Sequence, residues 1–60
     1  MRCFHYVVKD QAGNRLASGT TTSLELARHL LGPLQEVTSK DATVRRFVDG
    51  RGNTVLIGEN

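Results

Sequence analysis

Apolar and polar positions alternate at the start of the chain. Phe4, Tyr6 and Val8 fall on one side of an extended backbone, and Cys3, His5 and Val7 on the other. Aromatic and β-branched residues at that spacing predict a strand over 2–9. Asp10-Gln11-Ala12-Gly13-Asn14 reads as a hairpin loop. Asp suits the first position of a type I turn, and Gly13 suits the left-handed backbone that completes it. Residues 15–21 are then the return strand. At Ser23 the period changes. Steps of about 100° per residue gather Leu24, Leu26, Ala27, Leu30 and Leu31 on one side and Glu25, Arg28 and His29 on the other, which predicts a helix over 23–31. Thr22 and Glu25 have capping-box spacing, and Gly32-Pro33 is a strong stop.

Residues 32–41 read as a connector, with one helical turn expected at 33–37, where proline is tolerated first. A second hairpin is expected over 42–58. Its third strand carries Val44 and Val48 on one face with Arg46 between them, Asp49-Gly50-Arg51-Gly52-Asn53 is its loop, and 54–57 is the fourth strand. Asp10, Gly13, Asn14 and Gly19 recur as Asp49, Gly52, Asn53 and Gly58, each displaced by 39 positions. Reuse of one good turn chemistry accounts for this, and so does duplication of an ancestral hairpin. The expected fold is α+β, a single small ββαββ domain over 1–60 with antiparallel hairpins and one helix packed on one sheet face.

Sixty residues allow one domain, which buries only about 60% of the surface its unfolded chain exposes. Disulfides, metals or self-association commonly support such domains. Cys3 is the only cysteine, so no internal disulfide can form, and the His, Cys and carboxylate positions follow no metal-ligand spacing. That leaves self-association, and a homodimer is expected. A net charge of +2 is a mild basic excess, far from the concentrated charge of a dedicated nucleic-acid binder. Lys9 and Asp10 interrupt the first apolar run too early for a signal-peptide core, and no apolar run approaches the ~18 residues that span a bilayer. With a lone thiol, this suits a cytoplasmic location without membrane contact.

Chemistry is sparse. A nucleophile needs a base within hydrogen-bond reach and a third group to orient it. Cys3 and His5 share a strand face with nothing to enclose them, and His29 lies on the polar side of the helix, so the chain is not expected to be an enzyme and no cofactor is implied. Asp49-Gly50-Arg51-Gly52-Asn53 joins two strands, so it is no phosphate loop, and it holds too few carboxylates for calcium. Arg45, Arg46 and Arg51 form the one basic cluster. Arg45 and Arg46 point to opposite faces of a strand, and Arg45 shares its side with Phe47, a pairing that suits stacking plus phosphate contact. With Phe4, Tyr6 and Val8 packed under the helix, the other sheet face has no second layer in this chain, and it and the sheet edges are open to partners.

Residues 1–37 resemble the N-terminal cytoplasmic module of inner-membrane platform proteins of type II secretion and type IV pilus systems. The shared pattern is Phe4-x-Tyr6, Asp10-x-x-Gly13, Gly19, a Ser-initiated helix with Ala27-Arg28-x-Leu30-Leu31, then Gly32, Pro33 and Val37. The resemblance implies a role in assembly through protein contacts. Members of that family are several-fold longer and carry membrane helices, and nothing after Val37 follows them. A looser similarity is to the small DNA-binding domains of phage-type tyrosine recombinases. Those place three strands before the helix, where two are expected here. The expected function is therefore a small non-catalytic protein-interaction module, self-associating, with Cys3, His5, Val7 and Arg46 as contacts. The alternative is a nucleic-acid-binding module using Arg45, Arg46, Arg51, Lys9 and Arg15.

Overall fold

The computed structural model describes residues 3–41 and 43–59, except the side chain of Glu59. Arg2 and Ala42, placed in the two hairpins by the sequence, lie outside the described residues. The elements in chain order are β1 (Phe4–Lys9), β2 (Arg15–Thr21), α1 (Leu24–Leu31), β3 (Leu34–Val37), β4 (Val44–Asp49) and β5 (Thr54–Glu59). All five strands form one antiparallel sheet in the order β2-β1-β5-β4-β3.

The α+β class holds, but the order is ββαβββ: β3 occupies residues expected to form a connector with a helical turn. Leu34 and Val37 are three apart, a helical spacing, yet they face opposite sides of the sheet. Pro33 ends the helix, and β4 offers an unpaired edge to the residues after it. Their pairing, Leu34↔Asp49 through Val37↔Arg46, overrides the local pattern.

Each hairpin is closed by the same set of bonds. The Asp10 amide donates to the Asn14 carbonyl and the Gly13 amide to the Asp10 carbonyl, at 2.9 and 3.0 Å; the Asp49 and Gly52 amides repeat this with Asn53 and Asp49 at 3.0 and 3.1 Å. Asp10 Oδ1 accepts from the amides of Ala12 and Asn14, and Asp49 Oδ1 from those of Arg51 and Asn53. Gly13 and Gly52 sit at φ +90° and +82°, where an L side chain is strained. Because β5 runs antiparallel to both β1 and β4, the two hairpins lie side by side with their tips at one end.

Hydrogen bonds to backbone amides hold the carboxyls of Asp10 and Asp49 below the ordinary carboxylate range, chiefly those from Asn14 and Asn53 respectively. A folded-state pKa below the unfolded one adds stability that is complete above the unfolded value and lost as pH falls through the folded value. The urea midpoint is therefore expected to hold steady above about pH 5 and to fall below about pH 4. Replacing both residues by Asn should flatten that fall, and an unchanged acid limb would show that the turn carboxylates do not cause it.

The residue that caps the helix is Ser23, not Thr22. Ser23 Oγ accepts from the Leu26 amide at 3.1 Å, while buried Thr21 ties its hydroxyl to the Ser23 backbone. Glu25 consequently falls one position short of the capping box. Ala27 joins Val8, Phe47, Val55 and Ile57 in the core, with Phe4, Tyr6, Leu24, Leu31 and Leu34 packed around them. Leu26 and Leu30, expected on the buried side, are 41% and 59% exposed. A helix of eight residues laid on a sheet buries a narrower stripe than the full apolar arc. On β2, Gly19 pairs with Tyr6 and lies under its ring, where a Cβ would stand 2.7 Å from the Tyr6 hydroxyl oxygen.

Candidate functional site

Partners across antiparallel strands share a face, so the register sorts every strand residue. Tyr6, Ile57 and Arg45 lie on the helix side with Val8, Val55, Phe47 and Glu36. The opposite face carries no helix. Its central row runs Ser18, Val7, Leu56, Arg46, Val37, with Thr20, His5, Gly58 and Val44 on one side and Lys9, Thr54, Val48 and Gln35 on the other. Val7, Val37, Val44, Val48 and Leu56 are half-buried there and His5 is exposed. Half-buried Cys3 precedes β1.

A groove of about 540 Å³ runs along this face from the first hairpin loop, at the tip end, to the β3–β4 loop, at the opposite end. Its floor includes Val44, Leu56 and Thr54, and Lys9, Lys40 and Arg46 line it with their cations. The β3–β4 wall braces itself: Asp41 Oδ1 accepts from the Thr43 amide at 2.9 Å and the Thr43 hydroxyl at 2.7 Å. These bonds, the hydroxyl's first, hold the Asp41 carboxyl below its ordinary range. Asp10, the other acid in the lining, is likewise engaged by turn amides.

The residues singled out from the sequence are only partly brought together. His5, Val7 and Arg46 share the helix-free face, as does Lys9, with Arg15 across from it on β2. Arg45 stands on the opposite face. It donates to Glu36 through Nε at 2.8 Å and Nη2 at 2.7 Å, and its guanidinium lies 5.4 Å from the Phe47 ring centroid. The hydrogen bond from Arg45 first, and its charge, hold the Glu36 carboxyl below its ordinary range. Arg45 and Phe47 do share a face, but Phe47 is buried and offers no free ring for a base to stack on. Arg51 sits at the second hairpin tip with its amide bonded to Asp49.

His29, on the helix, is separated by the sheet from His5, so the two cannot act on one substrate group. Among the described residues no three His, Cys, Asp or Glu side chains converge, and no helix is long and apolar enough to cross a membrane. The sequence reading missed Lys40 and Leu56. Leu56 was accessible in principle, since it alternates with buried Val55 and Ile57. Lys40 was not, because its position depends on how the β3–β4 loop folds. Comparison with family models, curated proteins and solved structures returns no match.

Proposed function

We propose that the chain is a non-catalytic protein-interaction module whose helix-free face docks an extended, acidic protein segment. The observation that carries this reading is the apolar floor of Val44 and Leu56 bordered by Lys9, Lys40 and Arg46. Apolar side chains of a partner would displace water from the floor, and its carboxylates would meet the cations. The likeness of residues 1–37 to platform-protein modules implies the same class of role.

A nucleic-acid reading fares worse on this face. The chain has three aromatic residues, and Phe4, Tyr6 and Phe47 all lie on the helix side. Single-strand binding relies on stacking against such rings. Lys9, Arg15 and Arg46 without a ring supply only phosphate contact.

Selection from a displayed peptide library tests the proposal. Peptides with interspersed acidic and apolar residues are expected to enrich on the wild-type protein. Arg46→Glu and Leu56→Glu should each weaken the selected peptide about tenfold or more, the effect of roughly 1.4 kcal/mol, while circular dichroism stays unchanged. Peptides that bind equally well to both variants would overturn it. So would a single-stranded oligonucleotide that binds with a steep salt dependence and is lost with Arg46→Glu.

A further inference from the structure

The two edges of the sheet are unlike. The β3 edge is four residues long and presents Gln35 and Glu36, the kind of short, charged edge that resists pairing. The β2 edge is seven residues long, and from Leu16 to Thr21 it contains no charge and no proline. Its one irregularity lies at the hairpin end, where Lys9 pairs with Arg15 and Val8 with Ala17, leaving Leu16 as an extra residue. The remainder offers an open row of backbone donors and acceptors.

Exposed apolar side chains gather on the same side. Leu16, Leu26 and Leu30, at 55%, 41% and 59% exposure, are the exposed large hydrophobic residues among those described. Leu16 and Leu30 border one groove with Ala17 and Val8. At about 100° per residue, Leu26 and Leu30 form one stripe on the flank of α1 opposite Arg28. α1 packs against β2, and Leu30 borders the same groove as Leu16 and Ala17 of that strand. The leucine stripe therefore faces the β2 side.

We infer that the β2 edge is a self-association surface, on which a second copy of this chain adds its own β2 antiparallel to form a continuous ten-stranded sheet. Self-complementarity identifies the occupant. A two-fold axis perpendicular to the sheet makes β2 antiparallel to its copy and sets both helices on one face, with their Leu26 and Leu30 flanks turned toward the axis. Antiparallel overlap also sets the Arg15 end of one strand against the Thr21 end of the other, so the arginines stay apart. A head-to-tail arrangement joining β2 to β3 lacks this fit. In a five-stranded antiparallel sheet the two edge strands run the same way, so that junction would be parallel, and it would use the charged edge. One strand pair and three leucines per copy make an interface at the low end of specific contacts, below about 1,200 Å², so dimerisation is concentration-dependent.

This surface is separate from the helix-free groove, and the experiment keeps them apart. Sedimentation equilibrium from micromolar to millimolar protein is expected to show the wild-type mass rising from the 6.6 kDa monomer toward twice that value. Leu30→Glu and Leu16→Glu, both at exposed positions, should leave the circular dichroism spectrum unchanged and each raise the dissociation constant about tenfold or more. Amide exchange in β2 should slow with concentration while exchange in β3 does not. Leu56→Glu should leave the mass unchanged. A wild-type chain that stays monomeric throughout overturns the inference. So does a dimer that survives the Leu16→Glu/Leu30→Glu double variant, or one broken by Leu56→Glu instead.

Discussion

Phe47→Ala is expected to cost the fold a large share of its stability, about 3–5 kcal/mol. Phe47 is the largest fully buried side chain and packs with Val55, Ile57, Val8 and Ala27 at the centre of the only core cluster of the described residues. Truncating a buried phenylalanine costs about 3–5 kcal/mol, the lost transfer energy plus the cavity left behind. A domain of this length has a total stability of roughly 3–9 kcal/mol at ordinary per-residue values. The loss is thus a large share of everything the fold has. Urea unfolding followed by circular dichroism measures it. A loss below about 1 kcal/mol, the size of an average point substitution, would mean that the core is not organised around this ring. Phe47→Leu, which keeps most of the volume, should be tolerated far better.

The second large effect is expected at Gly19, and its sign is what makes it informative. Glycine inside a strand normally destabilises by roughly 0.5–1 kcal/mol relative to alanine, so Gly19→Ala would ordinarily help. Here the new Cβ would stand 2.7, 2.9 and 3.0 Å from Oη, Cζ and Cε2 of Tyr6. The ring is rigid and lies against the core, so it must tilt off the strand. Gly19→Ala is therefore expected to destabilise by about 1–3 kcal/mol, the range for overpacking. In a Tyr6→Leu background the same substitution should become neutral or favourable, a coupling of about 1 kcal/mol or more. Equal effects of Gly19→Ala in the two backgrounds would remove the ring as the cause.

Those two positions also show what could be read without coordinates. Phe4, Tyr6 and Val8 announced the buried side of β1 because strict alternation leaves an aromatic stripe no other place in so small a core. The Asp-x-x-Gly-Asn loops were legible because their chemistry is local, a carboxylate bonding amides two and four residues on. Local signals failed where several answers were locally equal. Thr20, Thr21, Thr22 and Ser23 all offer a hydroxyl, and the burial of Thr21 decides that Ser23 becomes the cap. Leu34 and Val37 fit a helical turn as well as a strand until the edge of β4 is available. The arc of α1 was read at full width, though a short helix on a sheet leaves Leu26 and Leu30 outside. On the candidate site, opposite orientations for Arg45 and Arg46 followed from strand geometry. The grip of Glu36 on Arg45 did not, since Glu36 belongs to a strand that the local pattern concealed.

The strand order has a kinetic consequence. Each hairpin joins neighbours only a few residues apart along the chain, but β1 meets β5 through pairs such as Phe4↔Glu59 and Tyr6↔Ile57, nearly a full chain length apart. The chain-entropy cost of closing a loop grows with the logarithm of its length, and contacts remote in sequence slow folding. The seam joining the two hairpins therefore combines the greatest ordering cost with the middle of the core. Substitutions along this seam are therefore expected to slow folding more than those within either hairpin, which stopped-flow refolding would measure.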